Sequence, residues 1–153
     1  MKNLATGLFI LSMLSATVAQ GATETGLGTF RNWEAYTFKE RGKTVCAIWA
    51  SANKSEGKYK RRGDVVMFVS HRTWTRQKRE DEVSFEAGGP FKADREGTIT
   101  IDGKKKFTLF TDAETAWNNT AKDDAALVKA MRIGKIMVIR GVSRRGTKTK
   151  DTF

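Results

Sequence analysis

The chain has 153 residues and a formal net charge of +11 at pH 7, with one cysteine and one histidine. A lone cysteine excludes an intramolecular disulfide, and one Cys with one His argues against a histidine-based metal site. The charge favours association with anions such as lipopolysaccharide, acidic host glycans or nucleic acid, although a charged face can also be simply solvated.

Residues 1–19 have the pattern of a secretory signal peptide. Lys2 forms a short positive region, Leu4–Val18 is apolar, and Thr17-Val18-Ala19 places small residues before the cleavage point. Retention as a membrane anchor is the alternative, but the apolar stretch is shorter than the ~20 residues that a span requires. We therefore expect residues 20–153 to form a single exported domain, in the periplasm, in the outer envelope or secreted, with no transmembrane segment after cleavage.

Short apolar segments predict strands in the first part of the chain. The predicted strands are Asn32–Phe38, Thr44–Trp49, Val65–Ser70 and Glu82–Phe85. The first two are expected to form a hairpin. Thr23–Thr29 is predicted to be a flexible lead-in, and Ser51–Arg62 a polar, basic loop.

A second hairpin is predicted from Thr98–Ile101 and Lys106–Phe110. The dipeptide Asp102-Gly103 between them supplies the positive φ angles that a tight primed turn needs. Thr111–Asn119 is predicted to connect this hairpin to a helix.

The helix is predicted at Ala121–Ile133. Thr120 suits its N-cap, and Asp123 and Asp124 suit the positive end of the helix dipole. Gly134 suits a left-handed position just after the last turn.

After the helix, Lys135–Val142 is apolar on both faces at its centre, which predicts a strand covered on both sides. The turn Ser143–Thr147 leads into a last strand that barely begins. Many short strands with one helix predict a mainly β fold, a β-sandwich-like single domain with one α-helix near the C-terminus.

The residue types of an enzyme site are missing from the sequence. It contains no nucleophile elbow, phosphate-cradling loop or dinucleotide fingerprint. The adjacent acids of Asp81/Glu82 and Asp123/Asp124 point apart, unlike a glycosidase pair. His71 is expected at a strand end or on the surface, because it has no recognisable nucleophile or orienting partner. We therefore predict no enzymatic activity, no catalytic or metal-binding residue and no cofactor.

Cys46 lies inside the predicted strand Thr44–Trp49. The favoured interpretation is a buried small hydrophobe, since free cysteine is often buried. An intermolecular bridge or a reactive thiol is the alternative, because the cysteine count of an exported chain is odd.

Three basic runs supply candidate anion-binding residues, and Tyr59 and Trp74 between the cations suit stacking on bases or sugars. The candidates are Lys58, Lys60, Arg61, Arg62, Arg72, Arg76, Lys78, Arg79, Arg144 and Arg145. If they bind a ligand, the three runs should share one face. Export and the lack of a standard nucleic-acid module argue against nucleic acid as the partner. The expected partners are anionic polymers of the envelope or host surface, or an envelope protein, and a merely solvated basic face is the alternative.

An ordered set of motifs resembles the invasion associated locus B family of exported bacterial proteins over almost all of residues 20–153. The motifs are Trp33-x-x-Tyr36, Val45-Cys46, Arg62-Gly63, Phe68-Val69-Ser70, Asp81-Glu82-Val83-Ser84, Gly88-Gly89-Pro90-Phe91, Ile101-Asp102-Gly103 with Phe107, Ala116-Trp117, and Ser143-x-Arg145-Gly146-Thr147-x-Thr149-x-Asp151-Thr152. The resemblance implies a periplasmic or envelope-associated, β-rich, non-enzymatic protein. The family name links host-associated members to invasion of host cells. A basic-surface binder of lipopolysaccharide, acidic glycan or nucleic acid is the alternative function.

One departure from the family pattern concerns the last strand. Similar proteins continue past the Asp-Thr-aromatic step with a Ser-Leu-x-Gly-Phe type strand, whereas this sequence ends at Phe153. The resemblance therefore implies that the final strand is truncated. A missing closing strand would leave its sheet partner as an unpaired edge.

Overall fold

The computed structural model describes residues 24–72 and 81–153. The signal peptide predicted at residues 1–19 lies outside the described residues. The strands are β1 (Thr25–Phe30), β2 (Trp33–Glu40), β3 (Lys43–Ser51), β4 (Lys54–Glu56), β5 (Val66–His71), β6 (Glu82–Glu86), β7 (Gly97–Ile101), β8 (Lys105–Asp112), β9 (Thr115–Asn118), β10 (Met137–Val142) and β11 (Lys148–Thr152), and the helix is α1 (Ala121–Ile133). The prediction of a mainly β fold with one helix near the C-terminus is confirmed.

The strands form one antiparallel sheet that curls back on itself. Their order is β1-β2-β3-β5-β6-β9-β8-β7-β10-β11-β4. Strands β3 and β4 stand far apart in this order, yet only Ala52 and Asn53 separate them in the chain. At this bend Ala52 N donates to Val65 O at 2.9 Å and Asn53 N donates to Thr152 O at 2.8 Å. The bend therefore joins the two ends of a nine-strand run and gives the sheet an enclosed inner face.

The inner face carries the main hydrophobic core. Met67, Phe85, Ile99, Leu109 and Ile139 alternate with outward residues on their strands and are at most 1% exposed. The helix adds its apolar side to the same core. Each such side chain contributes roughly 1.5–3 kcal/mol when it leaves water.

The start of helix α1 follows the predicted capping pattern. Thr120 Oγ1 accepts a hydrogen bond from Asp123 N at 3.2 Å, so the predicted N-cap is confirmed. Asp124 has a further role, because its side chain is buried and its Oδ1 accepts from Val83 N at 3.1 Å and from Asn118 Nδ2 at 2.9 Å. This carboxylate ties the helix to β6 and β9.

The end of the helix differs from the prediction at Gly134. Its φ of −77° and ψ of 161° are extended, so the left-handed conformation predicted for it is wrong. The glycine is required by close packing instead. A Cβ there would lie 2.3 Å from Ile101 Cγ2 and 3.0 Å from Ala130 O.

The second hairpin has the predicted turn. Asp102 and Gly103 have φ angles of 52° and 67°, as a primed turn requires. The Asp102 carboxylate also accepts from Ile136 N at 2.9 Å and from Lys135 N at 3.0 Å. These two backbone bonds lower the pKa of Asp102 and tie the hairpin to the segment after the helix.

Three strands were missed by the sequence patterns. The segment predicted as a flexible lead-in forms β1, the predicted basic loop contains β4, and the predicted connection before the helix contains β9. Their sequences are rich in glycine or polar residues, and their pairing depends on distant strands. The last strand, β11, is five residues long and is paired with β10 on one side and β4 on the other.

Cys46 is exposed, so the favoured prediction of a buried thiol is wrong. Its neighbours Val45 and Ala47 are buried on the opposite face of β3. Cys46 and Ile48 lie on the other face of β3. Within residues 24–72 and 81–153, Ile48 packs against the main core and Cys46 does not. Cys46 therefore lies where β3 extends beyond the enclosed core.

Within the described residues, no helix combines the length and apolar character needed to cross a membrane.

Candidate functional site

Three sequence motifs that lie far apart in the chain meet at one cavity of about 820 Å³. They are Arg62-Gly63, Gly88-Gly89-Pro90-Phe91 and the Ser143–Thr149 part of the last motif. The basic segment Lys58–Arg61 completes the wall. Strands β4 and β11 pair, so the segments after β4 and before β11 lie side by side. The segment after β6 joins them through the Phe91–Ser143 bridge.

A buried ion pair holds the floor of the cavity. Arg62 Nη1 and Nη2 donate to the two Asp151 carboxylate oxygens at 2.6 and 2.7 Å, and Arg62 Nε donates to Ala87 O at 2.6 Å. The side chains of Arg62 and Asp151 are 8% and 1% exposed. Burial opposes the guanidinium charge, but the hydrogen bonds and charges of Asp151 and Tyr59 together outweigh this effect and raise the pKa of Arg62. Arg62 therefore serves chiefly to join three segments rather than to present a free cation.

The glycine at position 88 allows the backbone segments at the cavity to touch. Gly63 N donates to Gly88 O at 2.7 Å. Gly88 has a φ of +65°, and a Cβ there would lie 2.3 Å from Gly63 O. Any other residue would push the two segments apart, because backbone atoms cannot yield to it. The glycine motif is visible in the sequence, but its contact partner, Gly63, lies 25 residues earlier and no local pattern predicts it.

The wall of the cavity is strongly basic. Lys58, Lys60, Arg61, Arg144 and Arg145 line it and are exposed. Within residues 24–72 and 81–153 none of these five side chains forms an ion pair, and none of the described lining residues is acidic. Cations of one sign around a concave surface focus the potential and attract anions.

Apolar side chains lie between these cations. Tyr59, Pro90 and Phe91 line the same cavity. Phe91 is anchored on the core by Phe85, with ring centres 6.4 Å apart. The Tyr59 ring centre lies 5.4 Å from Arg62 Cζ, and the Tyr59 hydroxyl donates to Ser55 O at 3.0 Å. The cavity thus offers both charge and apolar surface to a ligand.

The ten predicted anion-binding residues divide into three groups. The structure places six of them at the cavity: Lys58, Lys60, Arg61, Arg62, Arg144 and Arg145. Arg76, Lys78 and Arg79, with Trp74, lie outside the described residues. Arg72 does not reach the cavity. It lies after β5, where it contacts Glu40 at 2.8 Å and Glu82 at 3.3 Å, so carboxylates compensate its charge.

His71 is the last residue of β5, so its predicted strand-end position is confirmed. Its Nδ1 lies 3.2 Å from Asp81 Oδ1. No group of three or more Cys, His, Asp or Glu side chains suited to a metal ion occurs in the described part of the chain.

A family model described as Invasion associated locus B (IalB) protein matches residues 33–153. This range is well over half of the chain and contains every residue that lines the basic cavity. No match was found among curated proteins or among solved structures.

Proposed function

Because the chain belongs to the invasion associated locus B family, we propose that it is an exported, envelope-associated binding protein without enzymatic activity whose basic cavity holds an anionic polymer. The family name supports a role in invasion. The observation that carries the proposed binding is the set of five exposed cations, without ion-pair partners in the described residues, around one cavity. Export supports lipopolysaccharide or an acidic glycan as the polymer rather than nucleic acid.

The chemistry of the wall suits phosphate or sulfate groups carried on a sugar or lipid body. Arg144 and Arg145 each present a planar fork that matches such oxyanions in a bidentate way. Lys58 and Lys60 add point charges on flexible stems. Tyr59 and Phe91 supply apolar surface beneath them, as binding sites for organic ligands usually do.

The test measures binding of the purified protein to lipopolysaccharide, heparin and single-stranded DNA over a salt series. The variant Arg144→Gln/Arg145→Gln removes two cavity cations. The control Lys105→Gln/Lys106→Gln removes the same charge from β8. These lysines pair with the end of β7 that lies beside Met137 and Val138 of β10. That end of β10 is five or six residues from Ser143, so the control lysines lie roughly 17 Å or more from the cavity.

We expect one polymer to bind at near-physiological salt. The cavity variant should lose roughly 30-fold in affinity, at about 1 kcal/mol for each cation near the anionic surface. For single-stranded DNA, the slope of log K against log salt should fall by about 1.4, since each phosphate contact contributes about 0.7. Equal losses in the cavity variant and the control would show that only net charge matters. Weak binding to all three polymers, lost together as salt rises, would also refute the proposal.

A further inference from the structure

The outer face of the sheet carries a row of aromatic side chains, separate from the basic cavity. Strand register pairs Trp49 with Phe68, Phe68 with Ser84, Ser84 with Trp117, and Trp117 with Phe110. Directly opposed residues in an antiparallel sheet place their side chains on the same face. The four rings and the Ser84 hydroxyl therefore form one line across β3, β5, β6, β9 and β8.

This line faces away from the core. The neighbours of its members along the strands, Met67, Phe85 and Leu109, point to the other face and are at most 1% exposed. The row itself remains partly open, and Phe110 is 43% exposed. From β3 to β9 the row spans three strand spacings, or roughly 14 Å.

At its β3 end the row opens into a cleft of about 610 Å³. Tyr36, Trp49 and Phe68 line the cleft, together with the carboxylates of Glu24 and Glu34. Burial, and to a lesser degree the charge of Glu24, raises the pKa of Tyr36. The cleft is thus aromatic and acidic, in contrast to the basic cavity.

Strand β1 forms one wall of the cleft and leaves space in it. Gly26 lines the cleft and pairs directly with Tyr36, so a side chain at Gly26 would point to the same face as the tyrosine ring. A Cβ at Gly26 would meet nothing within 4 Å. The cleft therefore has room for a ligand beside the tyrosine.

The chemistry of this face suits a hydroxyl-rich, uncharged ligand. Sugar rings have apolar C–H faces, which pack on aromatic rings, and hydroxyl edges, which donate to carboxylates. Glu24 and Glu34 have no ion-pair partner among the described residues, and Glu34 lies directly opposite Trp49. The same carboxylates would repel an anionic polymer. We propose that the aromatic row and its cleft bind a neutral glycan chain, with sugar rings packed on Trp49, Phe68 and Trp117.

The experiment uses the purified protein with cellohexaose, chitohexaose and maltohexaose, followed by calorimetry and tryptophan emission. We expect at least one hexasaccharide to bind with a change in emission. Trp117→Ala should weaken this binding by about tenfold, the lower range of the loss found when a ring that stacks on a nucleic-acid base is removed. Gly26→Leu should block the cleft while leaving every ring of the row in place and the melting temperature unchanged.

Phe30→Ala is the matched control. Phe30 is 64% exposed and pairs with Trp33, which packs toward the core, so it lies on the other face of the β1–β2 hairpin. This variant should bind as the parent does. Failure of all three hexasaccharides to bind would overturn the proposal, as would binding that survives both Trp117→Ala and Gly26→Leu. Self-association lost in Trp117→Ala, without glycan binding, would assign the face to a protein contact instead.

Discussion

Removal of the Asp151 carboxylate should destabilise the protein more than removal of any exposed charge near it. The pair that Asp151 forms with Arg62 is almost fully buried, with side chains 1% and 8% exposed. Asp151→Ala would leave the guanidinium in a site shaped for an ion pair, with Ala87 O as its remaining acceptor. Breaking a buried pair in this way costs about 3–5 kcal/mol.

The preceding residue of β11, Lys150, supplies the control. Lys150 Nζ contacts Glu56 Oε2 at 2.9 Å, but these side chains are 41% and 37% exposed. Lys150→Ala should therefore destabilise the protein far less than Asp151→Ala, because solvent screens an exposed pair. Urea unfolding with linear extrapolation measures the loss of stability in both variants. An unchanged slope of the unfolding free energy against urea concentration shows that both variants unfold in the same way as the parent.

A double-mutant cycle separates the pair from the rest of the site. Arg62→Met/Asp151→Ala removes both charges, so no uncompensated buried charge remains. The double variant should lose less free energy of unfolding than the sum of the losses of the two single variants, by about 0.5–3 kcal/mol. The reasoning would be refuted by strict additivity, or by an Asp151→Ala cost no larger than that of Lys150→Ala.

Two further changes test other parts of the fold. Gly134→Ala should lower the free energy of unfolding by about 1–3 kcal/mol, because its Cβ would lie 2.3 Å from Ile101 Cγ2. Gly89→Ala should not lower it, because a Cβ there would meet nothing within 4 Å. Equal losses of stability in the two variants, measured by urea unfolding, would contradict this prediction. The hydrogen bond from Arg72 lowers the pKa of Glu40 below its ordinary value, so Glu40→Gln should cost about 0.2–1 kcal/mol at neutral pH. That difference should vanish as the pH falls through the folded pKa, and a constant difference across the acid range would exclude the pair as its cause.

The parts of the fold that were predictable depend on interactions close in sequence. Helix α1 begins at the predicted residue, because Thr120 caps a turn only three residues away. The predicted strand Val65–Ser70 differs from β5 by one residue at each end. The Asp102-Gly103 turn likewise requires only its own dihedral angles.

The missed strands depend on partners that are distant in the chain. Strand β4 is a short polar segment whose register sets Ser55 opposite Asp151. Nothing in Lys54–Glu56 alternates between polar and apolar residues, so no local pattern predicts a strand. The same distance explains why Arg62 was grouped with free cations, since its carboxylate partner is 89 residues away.

The residues of the family motifs differ in whether packing explains them. Arg62, Gly88 and Asp151 are each accounted for by packing that shapes the cavity. Arg145 belongs to the same motifs, but it is exposed and forms no ion pair in the described part of the chain. The structure explains why Arg62, Gly88 and Asp151 suit the fold and gives no packing reason for Arg145. The residues that shape the cavity therefore differ from those that would contact an anion. Substitution of Arg144 and Arg145 tests binding and leaves the buried pair of Arg62 and Asp151 intact.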